Sequence, residues 1–273
     1  MLDARCKRCG HRFPLPDDWS ERIPECPHCR IQCEAAPFGE QEWLAETDPN
    51  PMLSCLHGKA SDRKLRLFIA NYCRRTWHLF QDERCRKAIE VAELYADGQV
   101  GDEELLQVYI EMWQIQSNSL CPAPEAAVAD SCRRAVRPSG RITPRIVAIA
   151  AASLANLIAD GTGGESERGA WGEAKRGAWE AERRVQVDFL RDLLGPLPFR
   201  PVAINPAWLA WNDGTVPRVA QAIYDERAFD RMPVLADALE DAGCADRAIL
   251  DHCRQPGVHV RGCWVVDLLL GKE

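Results

Sequence analysis

The sequence predicts a mainly α-helical protein with a small cysteine-held module of short β structure at its N-terminus. Three observations predict it. Beyond the first cysteines, apolar residues recur at helical three- and four-residue spacing. Helix-starting residues stand just ahead of those runs and glycines just behind them. Alternating apolar and polar runs, the mark of half-buried strands, are scarce outside the N-terminal module.

Composition sets the class. At 273 residues the chain can form one large domain or two smaller ones. A hydrophobic content of 46% and a charged content of 27% are ordinary for a soluble protein with a buried core. The net charge of −7 argues against a generally nucleic-acid-binding surface while leaving room for a local basic face. Thirteen cysteines would suit a disulfide framework only in a short secreted domain, and Met1 to Arg5 opens without a signal peptide's apolar stretch. The expectation is a reducing cytoplasm, with four thiolates on a metal and the remaining thiols mostly buried. The apolar run from Ile146 to Ala159 is too short for a bilayer, so no membrane partner is expected.

The elements follow in order. Cys6-Lys7-Arg8-Cys9 is answered sixteen residues later by Cys26-Pro27-His28-Cys29. In each pair a tight turn aims both sulfurs at one point, and four thiolates close a tetrahedral zinc site. Gly10 suits the positive φ of such a turn, and Phe13 can cover the metal face. Through Cys6, Cys9, Gly10, Phe13, Cys26 and Cys29 the segment resembles the zinc-ribbon family, which implies a module over residues 1–35 with one structural Zn2+. His11, His28 and Cys33 are then bystanders, because the four cysteines already fill the ion's coordination.

A linker leads into the helical body at 41–273. Pro49 and Pro51 precede a short helix around Met52 to His57. Ser61-Asp62 caps the next, with Leu65, Phe68, Ile69, Tyr72, Trp77 and Phe80 on its apolar side. Asp82 caps a second, carrying Ile89, Ala92 and Tyr95 and closed by Gly98. Gly101-Asp102 opens a third, with Leu105, Val108, Met112 and Ile115 inward. Helices are further expected over Ala126 to Val136 and Ile142 to Ala159, with soft subdivisions near 117–141 and 161–200. An eight-residue unit repeats in tandem as Arg168 to Lys175 and Arg176 to Arg183, and reads as a duplicated surface helix running to Leu194. Segments from Pro206, Thr215, Pro233, Ala245 and Gly262 complete an all-helical C-terminal part.

Ser61 to Phe68, Cys73 to His78, Tyr224 to Arg231 and His259 to Asp267 together resemble an uncharacterised helical domain expanded in planctomycete bacteria. That resemblance covers roughly 41 to 273 and implies a bacterial, cytoplasmic setting without implying an activity.

Three constellations could carry chemistry. Arg63, Lys64, Arg66, Arg74 and Arg75 begin a basic stretch reaching Lys87, able to meet phosphates or a protein partner. The same cations could instead pair with the acidic C-terminal part, from Asp225 to Asp241. His252, Cys253, His259 and Cys263 are competent metal ligands, joined by Asp251 or Asp267, although their spacing matches no standard site. A thiol–imidazole nucleophile, Cys253 or Cys73 beside His252, His259 or His78, is the third. The reading is a zinc-stabilised, non-catalytic binding or adaptor protein with a protein partner. Nucleic-acid binding through the ribbon and the Arg63–Lys87 face is the alternative, and an enzyme using the His/Cys site near 252–263 the second.

Overall fold

The computed structural model describes residues 2–5, 12–15, 28, 38–117, 123–138, 142–161 and 173–272. Cys6, Cys9, Cys26 and Cys29, and with them the zinc-ribbon expectation, lie outside the described residues. Near them, the backbones of Leu2–Arg5 (β1) and Arg12–Leu15 (β2) pair antiparallel, Leu2 opposite Leu15 and Arg5 opposite Arg12. The body is α-helical, as its periodicity predicts.

Its first unit comprises Glu40–Ala45 (α1), Pro49–Cys55 (α2), Asp62–Arg75 (α3), Glu83–Ala96 (α4), Asp102–Gln116 (α5), Ala123–Ala135 (α6), Pro144–Gly161 (α7) and Glu173–Leu194 (α8). Side-chain caps set several starts. Asp48 accepts from the Asn50 amide at 2.8 Å, Ser61 from Lys64 at 3.2 Å and Asp82 from Arg84 at 2.9 Å. From α3 to α8 each helix packs on the next, and α3 also touches α6, α7 and α8. That central position explains why Lys64 through Cys73 are all buried. The apolar run of α3 ends earlier than its spacing predicts. Thr76 bonds back to the Cys73 carbonyl at 2.9 Å, and Trp77–Leu79 forms a separate 3-10 turn that stacks Trp77 on Phe80.

Among the described residues the tandem repeat lies at the surface only up to Ala181, with Arg176 to Ala181 exposed or half-buried. Its second copy lies in α8, but from Glu182 onward this helix buries Val187, Phe189, Leu190, Leu193 and Leu194. Glu182 itself is drawn in by Arg75 at 2.9 Å and Tyr72 at 3.1 Å. The first copy lies mostly outside the described residues.

The second unit comprises Pro206–Ala210 (α9), Thr215–Glu226 (α10), Met232–Asp241 (α11), Arg247–Arg254 (α12) and Trp264–Leu270 (α13). It has its own apolar core, around Ile223, Leu235, Leu239, Ile249, Trp264 and Val266. The first unit's core is separate, around Leu67, Phe68, Ala92, Val147 and Leu190. The two meet along a seam where α3 and the end of α8 face the segment leading into α13. There Lys64 Nζ donates to the Gly262 carbonyl at 2.7 Å and Asn71 to the Arg261 carbonyl at 2.8 Å.

Candidate metal centre

Four side chains that could hold a metal ion converge in this seam: Asp192, His252, His259 and Cys263. Asp192 comes from the last turn of α8 and His252 from the last turn of α12. Cys263 is the residue before α13, and His259 lies in the connection between α12 and α13. Local structure brings the last three together. Asp246 caps α12 by accepting from the Ala248 amide at 2.8 Å, which sets the helix carrying His252. The helix ends at Gln255 in extended conformation, and Pro256-Gly257 turns the chain back so that the His252 and His259 rings meet at 4.8 Å. Gly262 then adopts φ +93°, where a Cβ would lie 2.7 Å from Leu67 and 2.9 Å from Leu193. Only glycine permits both that φ and that approach.

The potential ligand atoms all lie within 4.8 Å of one another. His252 Nε2 is 3.2 Å from Cys263 Sγ and 3.2 Å from Asp192 Oδ1. These separations are close to the edge of about 3.4 Å that a tetrahedron of roughly 2.1 Å zinc bonds would have. His259 Nδ1 meets Asp192 Oδ1 at 2.6 Å, while its Nε2 is buried without a hydrogen-bond partner. An orphaned imidazole nitrogen inside a protein has a reason to meet a cation. Two further contacts border the set. The Gln255 amide holds His252 Nδ1 at 3.1 Å, and the Val260 amide donates to Asp192 Oδ2 at 2.8 Å.

The electrostatics suit an ion as well. Burial would push the Asp192 carboxyl up, but hydrogen bonds from His252 and His259 outweigh it and hold it below the ordinary carboxylate value. Burial, reinforced by the Asp192 charge, pushes the Cys263 thiol well up. That thiol is therefore no activated nucleophile by itself, and a bound dication would be what releases its proton. Cys253 does not join the group. It packs in the second unit's core, where burial pushes its thiol up to about 12. Asp251 is exposed, and Asp267 is engaged by Lys64 at 2.5 Å and Arg63 at 2.6 Å.

Sequence reasoning names His252, His259 and Cys263 but misses Asp192, sixty residues upstream of His252. One signal was available: a carboxylate set among Phe189, Leu190, Leu193 and Leu194 on a helix side that packs inward.

The basic residues of α3 are engaged locally and across the seam. Arg63 pairs with Asp97 and Asp267, Lys64 with Asp267, Arg66 with Asp62, Arg74 with Glu93 and Arg75 with Glu182. Of these five only Arg75 has more than a third of its side chain exposed, at 43%. Their partners differ from the Asp225 to Asp241 acids of the sequence reading. Glu226 instead pairs with Arg231, and Asp237 and Glu240 with Arg254.

Every cysteine among the described residues is a free thiol: Cys55, Cys73, Cys85, Cys132, Cys244, Cys253 and Cys263. No described helix is long and apolar enough to cross a membrane. Comparison of the chain with protein-family models, curated proteins and solved structures returns no match.

Proposed function

We propose that the protein is a zinc-stabilised, non-catalytic binding or adaptor protein, with one structural zinc held by Asp192, His252, His259 and Cys263. The observation that carries this reading is closure: none of the four donor side chains is more than 8% exposed. A catalytic zinc keeps a position open to water or substrate, whereas a structural one is surrounded. The donor set favours zinc over magnesium or calcium, which take oxygen ligands. One carboxylate and one thiolate also neutralise a dication, which is what a buried seam tolerates. In the same reading Cys6, Cys9, Cys26 and Cys29 hold a second zinc in an N-terminal ribbon. The free thiols support a reducing compartment.

Elemental analysis of protein purified without added metal tests the reading. The expected content is about two zinc ions per chain, falling to about one in a D192A/H259A variant. Equal zinc in wild type and variant would remove the internal centre. A zinc whose cobalt substitute shows an exchangeable water would overturn the structural role.

A further inference from the structure

A second part of the seam is out of charge balance. Arg63, Lys64 and Arg74 of α3 meet Arg227 after α10, Arg261 ahead of α13 and Lys272 beyond it. Against these six cations stand three carboxylates. Asp97 takes Arg63 at 3.2 Å, Lys272 at 3.5 Å and also Arg261. Asp267 takes Arg63 at 2.6 Å and Lys64 at 2.5 Å. Glu93 takes Arg74 at 2.6 Å and Arg227 at 2.5 Å. Each acid is thus shared, and the described residues leave three positive charges unmatched in a chain whose total is −7.

Tyr224 does not supply the missing charge. Its hydroxyl donates to Asp97 at 2.5 Å, and burial holds the phenol above its ordinary pKa and therefore neutral. The arrangement also has an inside and an outside. The three carboxylates are no more than 2% exposed, whereas Arg74, Arg227 and Lys272 are 29%, 31% and 25% exposed. The acids form the floor and Arg74, Arg227 and Lys272 the rim, with Arg261 between them at 13% exposed. Arg227 reaches this rim from a left-handed backbone at φ +54°, which is costly for a side chain other than glycine. Burial, with Arg74 and Arg261 close by, holds its guanidinium below the ordinary pKa. Arg261 keeps a buried Nε without a partner. Cations crowded against one another in this way attract an anion.

We propose that Arg74, Arg227, Arg261 and Lys272 bind a small phosphate dianion, free or as a phosphate monoester. Guanidinium groups match phosphate oxygens in planar pairs, and a dianion offsets most of the surplus. The site uses none of the four candidate metal ligands and adds a small-ligand role to the proposed binding protein.

The test is thermal unfolding and 31P NMR of the full chain, titrated with inorganic phosphate or glycerol 2-phosphate at constant ionic strength. A saturable stabilisation with 31P broadening is expected, and the arm that binds more tightly identifies the source. K272Q and R227Q should each weaken the apparent affinity roughly tenfold, as loss of a charge-assisted contact implies. R84Q, which removes an exposed cation paired locally with Asp82, should leave it unchanged. If R227Q fails to fold, K272Q at the rim carries the decision. Absence of saturation by both anions, equal affinity in K272Q and wild type, or binding of a short oligonucleotide with no response to either anion would overturn the proposal.

Discussion

At Gly262 and Gly195 the two helical units approach so closely that a methyl group has no room. A Cβ on Gly195 would lie 2.6 Å from the Trp264 indole, and one on Gly262 would strike Leu67 and Leu193. Both residues also hold positive φ, +50° and +93°. G262A should therefore cost about 2–4 kcal/mol through overpacking and backbone strain together. It should also weaken zinc binding, because the next residue is Cys263. Urea unfolding and a zinc competition titration measure the two effects, and a variant as stable as wild type would contradict the packing. Glu93 makes a complementary case. It is buried and accepts from both Arg74 and Arg227. E93Q should cost about 1–3 kcal/mol, below the loss for a fully buried pair because both arginines are partly solvated.

Single elements set two further outcomes. The α12 helix is only eight residues long and depends on its Asp246 cap. D246A should cost about 1 kcal/mol and lower zinc affinity, since fraying moves His252. The end of α4 governs a pH dependence. Burial would raise the Asp97 carboxyl, but hydrogen bonds from Tyr224 and Arg261, with the Arg261 and Lys272 charges, hold it below its ordinary 3.8. The unfolded chain then binds the proton more readily than the folded one, so this contribution is complete at neutral pH. It declines as the pH falls below 3.8 and is lost once the pH passes through the depressed folded value. D97N should flatten the acid limb of stability against pH, and an unchanged limb would show that Asp97 contributes nothing there.

Among the described residues, the seam joins two apolar cores through polar groups: the Asp192, His252, His259 and Cys263 cluster, the shared carboxylates and a few backbone contacts. If the cluster binds the proposed zinc, chelation should lower Tm by roughly 10 °C, since metal binding contributes to folding free energy. With the D192A/H259A variant, calorimetry should show the second unit unfolding ahead of the first. One unsplit transition at the wild-type temperature would mean that the seam holds without the ion.

The helices were legible because the signals that make them are local. Ser61, Asp82, Gly98 and Gly101 stand at helix ends in the structure as they do in the pattern. Trp77 and Phe80 were misplaced on α3 because helical spacing continues past Thr76, whose side chain stops the helix. The α8 helix reads as a surface element because its charged residues are as many as its apolar ones, yet Glu182 and Asp192 are buried against partners from distant segments. The metal centre was half legible. His252, His259 and Cys263 lie close in sequence, whereas Asp192 becomes their neighbour only when α8 packs against the turn into α13. Periodicity and capping act over a few residues, so the sequence by itself determined the helices and, α8 and the end of α3 apart, their inward faces. The pairing of charges and the gathering of ligands act between segments far apart in the chain, and only the tertiary structure decided those.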